Sequence, residues 1–396
     1  MSAARLVATV LRRMMPGMFG ILLAVEFADE FAFGLREAAW PEIRTDLNMS
    51  YLLVGLVLGV PGIVTGGFDL VIGVLGDTRH RKRIMVGGGI VFGIAILLAA
   101  VSVNGWMLLA VTILFYPASF AFVALSQATL MDSDPAGHEH NMARWTFAGS
   151  VGLVLGSLVL AAAVSVDISW RWLFAAVGFG SLALTVLVAR DLEMPIGTGR
   201  SANVRLVRLG IAGALRSMIR AGVRRWLVLL GFSDMMLDVL LGFLALYFVD
   251  VIGVSPAQAA VAVTMWSVVG LVGDFAIIPL IERMNGITYL RISAALSAGV
   301  FVAFMLTPWY WGAVALVGVL GFLNAGWYSI LQAQLYTAMP GRSGRVTAVS
   351  SITGVLGAFV PLGVGALAVV AGLEAAMWVL LLGPVALVVG LPSGRR

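Results

Sequence analysis

Long apolar runs separated by short polar or basic stretches follow one another along the whole chain. Each run holds about 20 or more residues, roughly the length that an α-helix needs to cross ~30 Å of hydrocarbon. Strands of a membrane β-barrel would instead alternate in polarity over ~10 residues. The pattern therefore predicts twelve transmembrane helices, near residues 15–42, 51–75, 84–103, 105–131, 143–166, 169–189, 226–250, 256–281, 287–307, 310–337, 346–371 and 373–391.

One polar stretch is much longer than the others and divides the predicted helices into two sets of six. It carries seven arginines from Arg200 on and almost no acidic residue after Glu193. Around residues 206–223 apolar residues recur at near-helical spacing between arginines, which predicts an amphipathic helix on the anionic inner leaflet. The expected organisation is an N-terminal six-helix bundle over 1–190, a basic cytoplasmic linker over 191–225 and a C-terminal six-helix bundle over 226–396.

The acidic residues of the apolar segments repeat at a constant offset of 205 residues. The matched pairs are Asp29 with Asp234, Asp69 with Asp274, Asp77 with Glu282, Gln127 with Gln332, and Ser50 with Ser255. A carboxylate at mid-membrane costs ~2.5–3.5 kcal/mol on insertion scales, so such an apolar chain should avoid one unless it is used. The repeat therefore predicts a duplicated membrane domain whose working site lies between the two copies.

Composition and charge agree with this picture and add an orientation. Hydrophobic residues make up 61% of the chain and charged residues 11%, against roughly 45–50% and about 25% in soluble domains. Nearly all of the 25 basic residues fall in alternate loops, which predicts both termini in the cytoplasm of a prokaryotic inner (plasma) membrane. The net charge thus sets orientation rather than indicating nucleic acid. The chain has no cysteine, which excludes disulfides and thiolate metal sites.

The loop between predicted helices 2 and 3 carries a recognisable signature. Residues 73–83 read GVLGDTRHRKR, a Gly with an Asp four residues on and then a basic cluster. This resembles the most widespread motif of the major facilitator superfamily, with Thr78 and His80 replacing a basic residue and a Gly. With the helix count, the long central loop and the duplication, the chain is identified as a member of that superfamily. The resemblance implies an all-α fold of two pseudo-symmetric six-helix bundles.

The resemblance also implies a conformational latch on the cytoplasmic side, built around Gly73 and Asp77. In the family, the Asp matching Asp77 sits near the start of helix 11. The base matching Arg81 pairs with an acid at the end of helix 4, for which Asp132 or Asp134 is the candidate. Such contacts form only when the cytoplasmic side is shut. The basic cluster also serves as a simple cytoplasmic anchor, and the two readings are compatible.

Predicted helix 5 contains Gly149, Gly152 and Gly156. The last two resemble the glycine spacing of a family motif associated with antiporters, in which a Pro follows the second Gly. Ser157 stands in the place of that Pro. Glycines four residues apart are also ordinary close-packing residues of membrane helices, so both interpretations stay open.

Predicted helices 1 and 7 carry carboxylates on single helical faces. In the superfamily these helices line the central cavity as symmetry mates, so the acids are expected to face it. Fully ionised, the set would be strongly repulsive, since Arg36 is the one base expected among them. Either several acids carry protons or a cation sits between them. The candidates for proton coupling are Asp29 and Asp234, followed by Glu26, Glu30 and Asp238.

Aromatic and amide side chains near these acids are the expected substrate contacts. An acid-rich cavity disfavours anions and favours cationic or neutral compounds, on which aromatic rings can stack. The candidates are Phe27, Phe31, Tyr116, Gln127, Asn324, Trp327 and Gln332. No cofactor is expected. The segment His138-Glu139-His140 lacks the spacing of a helix-borne zinc pair, so no metal site is predicted.

We therefore expect a monomeric secondary active transporter rather than an enzyme, because no nucleophile–base pair or phosphate-binding loop is recognisable. The segment WPEIRTDL at 40–47 and Ser50 are similar to drug-efflux members of the fosmidomycin-resistance type. This favours proton-coupled efflux of a small cationic or neutral organic compound. The alternatives are a proton- or sodium-coupled uptake symporter for a nutrient or divalent cation, and a membrane receptor that does not transport.

Overall fold

The computed structural model describes residues 17–76, 80–133, 138–191, 220–338, 354–355 and 357–392. Within these ranges the chain forms helices joined by short turns. Ten of the helices are long and apolar enough to cross a membrane. The protein is therefore an all-helical, multi-pass membrane protein, as the hydropathy pattern predicts.

The N-terminal half contains six helices, each within about five residues of its predicted bounds. They are α1 (Met18–Asp46), α2 (Tyr51–Gly76), α3 (Arg81–Ala100), α4 (Gly105–Ser133), α5 (His138–Val164) and α6 (Trp170–Asp191).

The C-terminal half contains helices with more interruptions. Three are continuous: α8 (Pro256–Arg283), α9 (Gly286–Met305) and α11 (Phe359–Ala371). Helix α7 consists of Ala221–Asp234, a π-helical turn (Met235–Val239), Leu240–Tyr247 and a second π-helical turn (Phe248–Ile252). Helix α10 has two parts, Tyr310–Asn324 and Trp327–Ala338, and α12 consists of Leu373–Met377, a 3-10 turn (Trp378–Leu381) and Leu382–Gly390.

Two predicted spans are not among the ten membrane-length apolar helices. Helix α1 carries the acidic residues within its apolar sequence, and α11 is 13 residues long as described. The exact count of twelve therefore stays a prediction. Helix α7 begins at Ala221, five residues before its predicted start. Most of the predicted linker 191–225, with its amphipathic helix, lies outside the described residues.

The two serines matched by the internal repeat begin corresponding helices. Ser255 Oγ accepts a hydrogen bond from the Gln258 backbone N–H at 3.3 Å, and Gln258 Oε1 accepts one from Ser255 N–H at 3.1 Å. Ser50 Oγ accepts from the Leu53 N–H at 3.2 Å. Such capping satisfies backbone donors that a helix start would otherwise leave unpaired.

Glycines bring helices into backbone contact where the bundle is tightest. In α5, a Cβ added to Gly152 would lie 2.5 Å from the Phe27 carbonyl oxygen of α1. Between the two halves, a Cβ on Gly55 of α2 would lie 2.5 Å from the Pro361 carbonyl oxygen of α11. Lipid supplies no hydrophobic drive for helix association, so this close approach supplies the packing that holds the bundle together.

A break in α10 interrupts a helix that the sequence predicts to be continuous. Gly326 adopts a φ of +71°, and a Cβ there would collide with the Ile277 Cδ1 atom of α8. Asp274 Oδ1 accepts a hydrogen bond from the freed Gly326 N–H at 3.2 Å. One of the repeat-matched acids is thus used to satisfy the backbone at the break.

Candidate functional site

A cavity of about 850 Å³ lies between the two halves of the protein. Its walls come from α1, α2, α4 and α5 on one side and from α7, α8, α10 and α11 on the other. The volume falls within the range of roughly 300–1,000 Å³ typical of small-molecule sites. The polar and aromatic lining residues are Glu30, Phe33, Arg36, Glu37, Tyr116, Asp234, Asp238, Trp266, Asp274, Tyr328 and Gln332.

The central cavity carries a strong excess of carboxylates. Among its described lining residues, five are acidic and one, Arg36, is basic. Acids of the two halves line it together, Glu30 and Glu37 from α1 and Asp238 from α7. Such a cavity disfavours an anion and favours a cation, by the difference in electrostatic energy between them.

The cavity's arginine is held by an ion pair and two aromatic rings. Arg36 Nη2 lies 2.5 Å from Glu37 Oε1, and Arg36 Nη1 donates to the Tyr116 hydroxyl at 3.2 Å. The guanidinium also lies 4.9 Å from the centre of the Phe33 ring. The Trp40 indole donates to the other Glu37 oxygen at 3.2 Å. Glu37, 1% exposed, is therefore satisfied by neighbours within the N-terminal half.

The acids in the middle of α1 occupy three environments. Glu30 and Glu37 line the central cavity. Asp29 lines a smaller cavity inside the N-terminal half, where Ser119 Oγ donates to Asp29 Oδ1 at 2.8 Å. Glu26 is buried against Gly149 of α5. Asp29 and Asp234 therefore occupy different cavities, although the repeat aligns them.

Helix α7 presents Asp234 and Asp238 to the central cavity around its first π-helical turn. The turn leaves the regular α-helical hydrogen-bond pattern. Asn324 of α10 donates from Nδ2 to the Met236 carbonyl oxygen at 3.2 Å, and Ser297 donates to Asn324 Oδ1 at 3.0 Å. The Asn324 amide thus supports the turn that carries both acids.

Two of the seven predicted substrate contacts, Tyr116 and Gln332, line the central cavity. Asn324 and Trp327 are almost fully buried; the former holds α7, and the latter donates its indole N–H to Ser293 at 2.9 Å. Phe27, Phe31 and Gln127 are not among the described residues of the cavity wall. The Phe27 and Phe31 rings contact each other at 5.8 Å between centres.

Trp266 lines the central cavity, and the sequence interpretation missed it. Its signal is its position in the middle of α8, a little over two turns before Asp274 and about 80° from it around the helix. Tyr328, 54% exposed, lines the wall on α10.

Contacts between the halves lie beyond one end of the cavity, at the ends of α1 and α7 and the start of α2. Arg44 Nη1 lies 2.7 Å from Asp250 Oδ2, and the Tyr51 hydroxyl donates to the same oxygen at 2.8 Å. The Arg44 guanidinium stacks 4.1 Å from the Tyr51 ring centre. We call this group the closed-end gate. The cavity extends the other way, toward Leu230 near the start of α7.

Two residues named for the predicted latch form an ion pair at the opposite end of the protein. Arg81 Nη1 lies 2.5 Å from Asp132 Oδ2, and the other candidate, Asp134, lies outside the described residues. Both paired residues belong to the N-terminal half. Gly73 lies near the end of α2, and Asp77 lies outside the described residues.

A family model of the Major Facilitator Superfamily matches residues 22–362. The chain belongs to this superfamily. It is 31% identical over 138 residues to "Uncharacterized MFS-type transporter EfpA" of Mycobacterium tuberculosis, in the strains CDC 1551 / Oshkosh and ATCC 25618 / H37Rv. That match covers 34% of this chain and only 26% of the relative. The family identifies a membrane transporter rather than an enzyme.

Solved structures of the superfamily share the fold at low sequence identity. A bacterial homolog of the human lysosomal transporter Spinster, in an inward-facing and unoccupied conformation, gives a TM-score of 0.76 at 14% identity, over 94% of this chain and 95% of that one. A mutant of the nucleoside transporter NupG gives 0.77 at 13% identity, over 94% and 98%. These likenesses establish the transporter fold over nearly the whole chain.

Proposed function

We propose that this protein couples proton movement to the efflux of a small cationic or neutral organic compound. The observation that carries the proposal is the central cavity, whose described lining residues include carboxylates from both halves and a single arginine. Placing so many acids within a membrane domain is costly. A carboxylate that binds a proton from one side of the membrane and releases it to the other would let the proton gradient drive substrate transport, which gives these acids a use.

Asp234 and Asp238 are the proposed coupling pair in the C-terminal half, with Glu30 facing them from α1. Asp29 is the proposed coupling acid of the N-terminal half, reached through the smaller cavity. Alternating access would move these groups between the two membrane faces. The closed-end gate supports this, because its Arg44–Asp250 pair joins the halves at one end of the protein and consists of side chains that can separate.

Aromatic residues of the central cavity support a cationic or neutral organic substrate. Tyr116, Trp266 and Tyr328 line the same cavity as the carboxylates. A cation over an aromatic face gains ~0.5–2 kcal/mol, more when water is excluded. Gln332 adds an amide to the wall for hydrogen bonding. We propose that a single molecule binds in this cavity, in a monomer whose termini both face the cytoplasm of the inner membrane.

Uptake by a symporter is the second candidate. It is favoured by Ser157, which replaces the proline of the antiporter-type motif and whose hydroxyl lies 3.1 Å from that of Thr264 in α8. The contact links α5 and α8 of the two halves at the motif position. Uptake and efflux use the same cavity, so direction has to be measured.

Transport by purified protein in liposomes tests the proposal. Under an imposed pH gradient, the transport rates of matched cationic, neutral and anionic compounds should differ. Cationic or neutral compounds should cross the membrane, and protons should move in the opposite direction. Asp234→Asn should reduce this proton-driven movement at least tenfold while exchange without a gradient persists. Movement indifferent to the pH gradient would contradict proton coupling, and accumulation with inward proton flow would indicate uptake.

Asp167→Asn is the matched control. Asp167 is exposed in the turn between α5 and α6 and has a φ of +58°, a conformation that Asn tolerates. The same loss of a carboxylate outside the cavity should leave transport unchanged. Equal losses in both variants would show that the effect at Asp234 is not specific to the cavity.

A further inference from the structure

A second cavity of about 180 Å³ lies inside the N-terminal half, enclosed mainly by α1, α3, α4 and α6. We call it the side chamber. Its polar groups, which include Asp29 and Ser119, lie toward the middle of the helices. The wall farther toward the end of α1 is mainly apolar and includes Ile43, Ala99 and Leu108. An engineered apolar cavity of about 150 Å³ binds benzene, so this volume is sufficient for an organic group.

The side chamber adjoins the central cavity. Four residues line both spaces: Glu30, Phe33, Arg36 and Tyr116. The partition between them is therefore made of side chains, with the Arg36 guanidinium bonded to Tyr116 and lying over Phe33. No helix backbone is needed to separate the two spaces at this point, because the four shared residues contribute to both walls.

The side chamber is long and narrow. Asp29 and Ile43 both line it and lie about 21 Å apart along α1, at 1.5 Å per residue. Helices α3 and α6 lie close together behind it, since a Cβ on Gly93 or on Gly178 would lie 3.1 Å from the other's carbonyl oxygen. The charged groups of the chamber lie between Asp29 and Arg36, whereas the stretch from Arg36 to Ile43 is lined mainly by apolar side chains. A narrow slot of this kind suits an unbranched chain better than a fused ring.

We propose that the side chamber is a second binding subsite, which takes an unbranched alkyl arm of the transported compound. The charged or polar head stays among the carboxylates of the central cavity, and the arm passes the Arg36–Tyr116 partition. The identity of the head rests on the proposed function, whereas the arm site rests on the chamber. Each buried methylene contributes ~0.8 kcal/mol, which corresponds to about fourfold in affinity.

A homologous series of alkyltrimethylammonium ions, from methyl to dodecyl, tests the subsite on the full chain in lipid nanodiscs. Empty nanodiscs measure the partition of each ion into lipid. After that correction, the dissociation constant of the wild-type protein should fall about fourfold per added methylene and then level off. The length at which it levels off reports the depth of the chamber.

Two variants move that length in opposite directions. Ala99→Leu fills the mainly apolar end of the chamber, so the fall should stop at a shorter chain. Leu108→Ala enlarges the same end, so the fall in dissociation constant should continue to a longer chain. A folding defect would not produce this gain, so the second variant keeps the test valid if the first folds poorly. Ala162→Leu is the matched control, because it makes the same Ala→Leu change at an exposed position of α5. It should give the same length profile as the wild type. All four proteins should bind tetramethylammonium equally.

The subsite proposal is overturned if the four proteins give one common length profile. It is also overturned if mass spectrometry finds a lipid acyl chain retained in the protein that the series does not displace. Neutral alkyl alcohols separate this result from the proposed function. In one outcome, the chain length at which alcohol affinity levels off differs among the variants as predicted while tetramethylammonium does not bind. That result would support the alkyl subsite and contradict the cation preference. If tetramethylammonium binding is lost in Asp234→Asn but no length dependence appears, the chamber alone fails.

Discussion

At the scale of single residues, the central cavity is organised around Arg36 and Glu37. The pair is largely withdrawn from solvent, with side-chain exposures of 12% and 2%. Burying two charges is favourable only when each is satisfied by good geometry and additional hydrogen bonds. Tyr116 and Trp40 provide those bonds. Among the described lining residues, the one base is thus paired with its neighbour, and the other carboxylates have no comparable ion pair with an arginine.

Removing one member of this pair should therefore cost more than removing both. Arg36→Leu leaves the Glu37 carboxylate buried without its counter-charge, and we expect a loss of about 3–5 kcal/mol of unfolding free energy. The double variant Arg36→Leu with Glu37→Leu should recover most of that loss. Chemical unfolding of the purified variants measures both values. Equal destabilisation of the single and double variants would show that the pair contributes nothing as a unit.

At the scale of helices, α1 and α5 form the closest contact within the N-terminal half. The glycines of α5 bring its backbone against that of α1, where a Cβ on Gly156 would collide with the Phe31 carbonyl oxygen and lie 2.8 Å from Leu35 N. Both obstacles are backbone atoms that cannot rotate away. Packing therefore accounts for this stripe of glycines, and a role in antiport stays a prediction.

Gly156→Ala should separate α1 from α5 and lower the unfolding free energy by roughly 1–3 kcal/mol, as overpacking does in well-packed interiors. Gly180→Ala in α6 is the matched control, since a Cβ there meets nothing within 4 Å. The control should be neutral or stabilising by up to about 1 kcal/mol, because Ala favours helix over Gly. Thermal melting in one detergent compares the two. A neutral Gly156→Ala would contradict the packing argument.

At the scale of the whole molecule, the closed-end gate joins the two halves. Asp250 of α7 forms an ion pair with Arg44 of α1 and accepts a hydrogen bond from the Tyr51 hydroxyl of α2. A second pair at the same end, Asp46 with Arg171 at 2.9 Å, lies entirely within the N-terminal half. Opening this end should break the first pair and leave the second intact.

Weakening the gate should expose the cavity from the closed end. The chain has no cysteine, so Leu58→Cys in the cavity wall can be labelled specifically by an impermeant maleimide. A partly exposed ion pair contributes about 0.2–1 kcal/mol, so Asp250→Asn should raise labelling from that side roughly 1.4- to 5-fold. Asp46→Asn, the matched control, should leave it unchanged. Equal labelling of the two variants would contradict a gating role for Asp250.

Much of the fold follows from sequence because hydrophobic length and capping are local properties. The starts of α2 and α8 at Ser50 and Ser255 were predictable, since apolar runs and polar caps act within a few residues. The π-helical turn at Met235–Val239 and the break at Gly326 were not. Both depend on partners far along the chain, Asn324 for the turn and Asp274 for the break.

The sequence by itself determined that this chain crosses a membrane, repeats its acids in two halves and belongs to a transporter family. It also identified Asp234, Asp238 and Glu30 as acids in a place where charge is costly. Only the tertiary structure decided which cavity each acid faces. Asp29 and Glu30 lie about 100° apart around α1, and Asp29 lines only the side chamber whereas Glu30 also lines the central cavity. Helical spacing gives the angle between them, but the helices packed around α1 decide which space lies on each side.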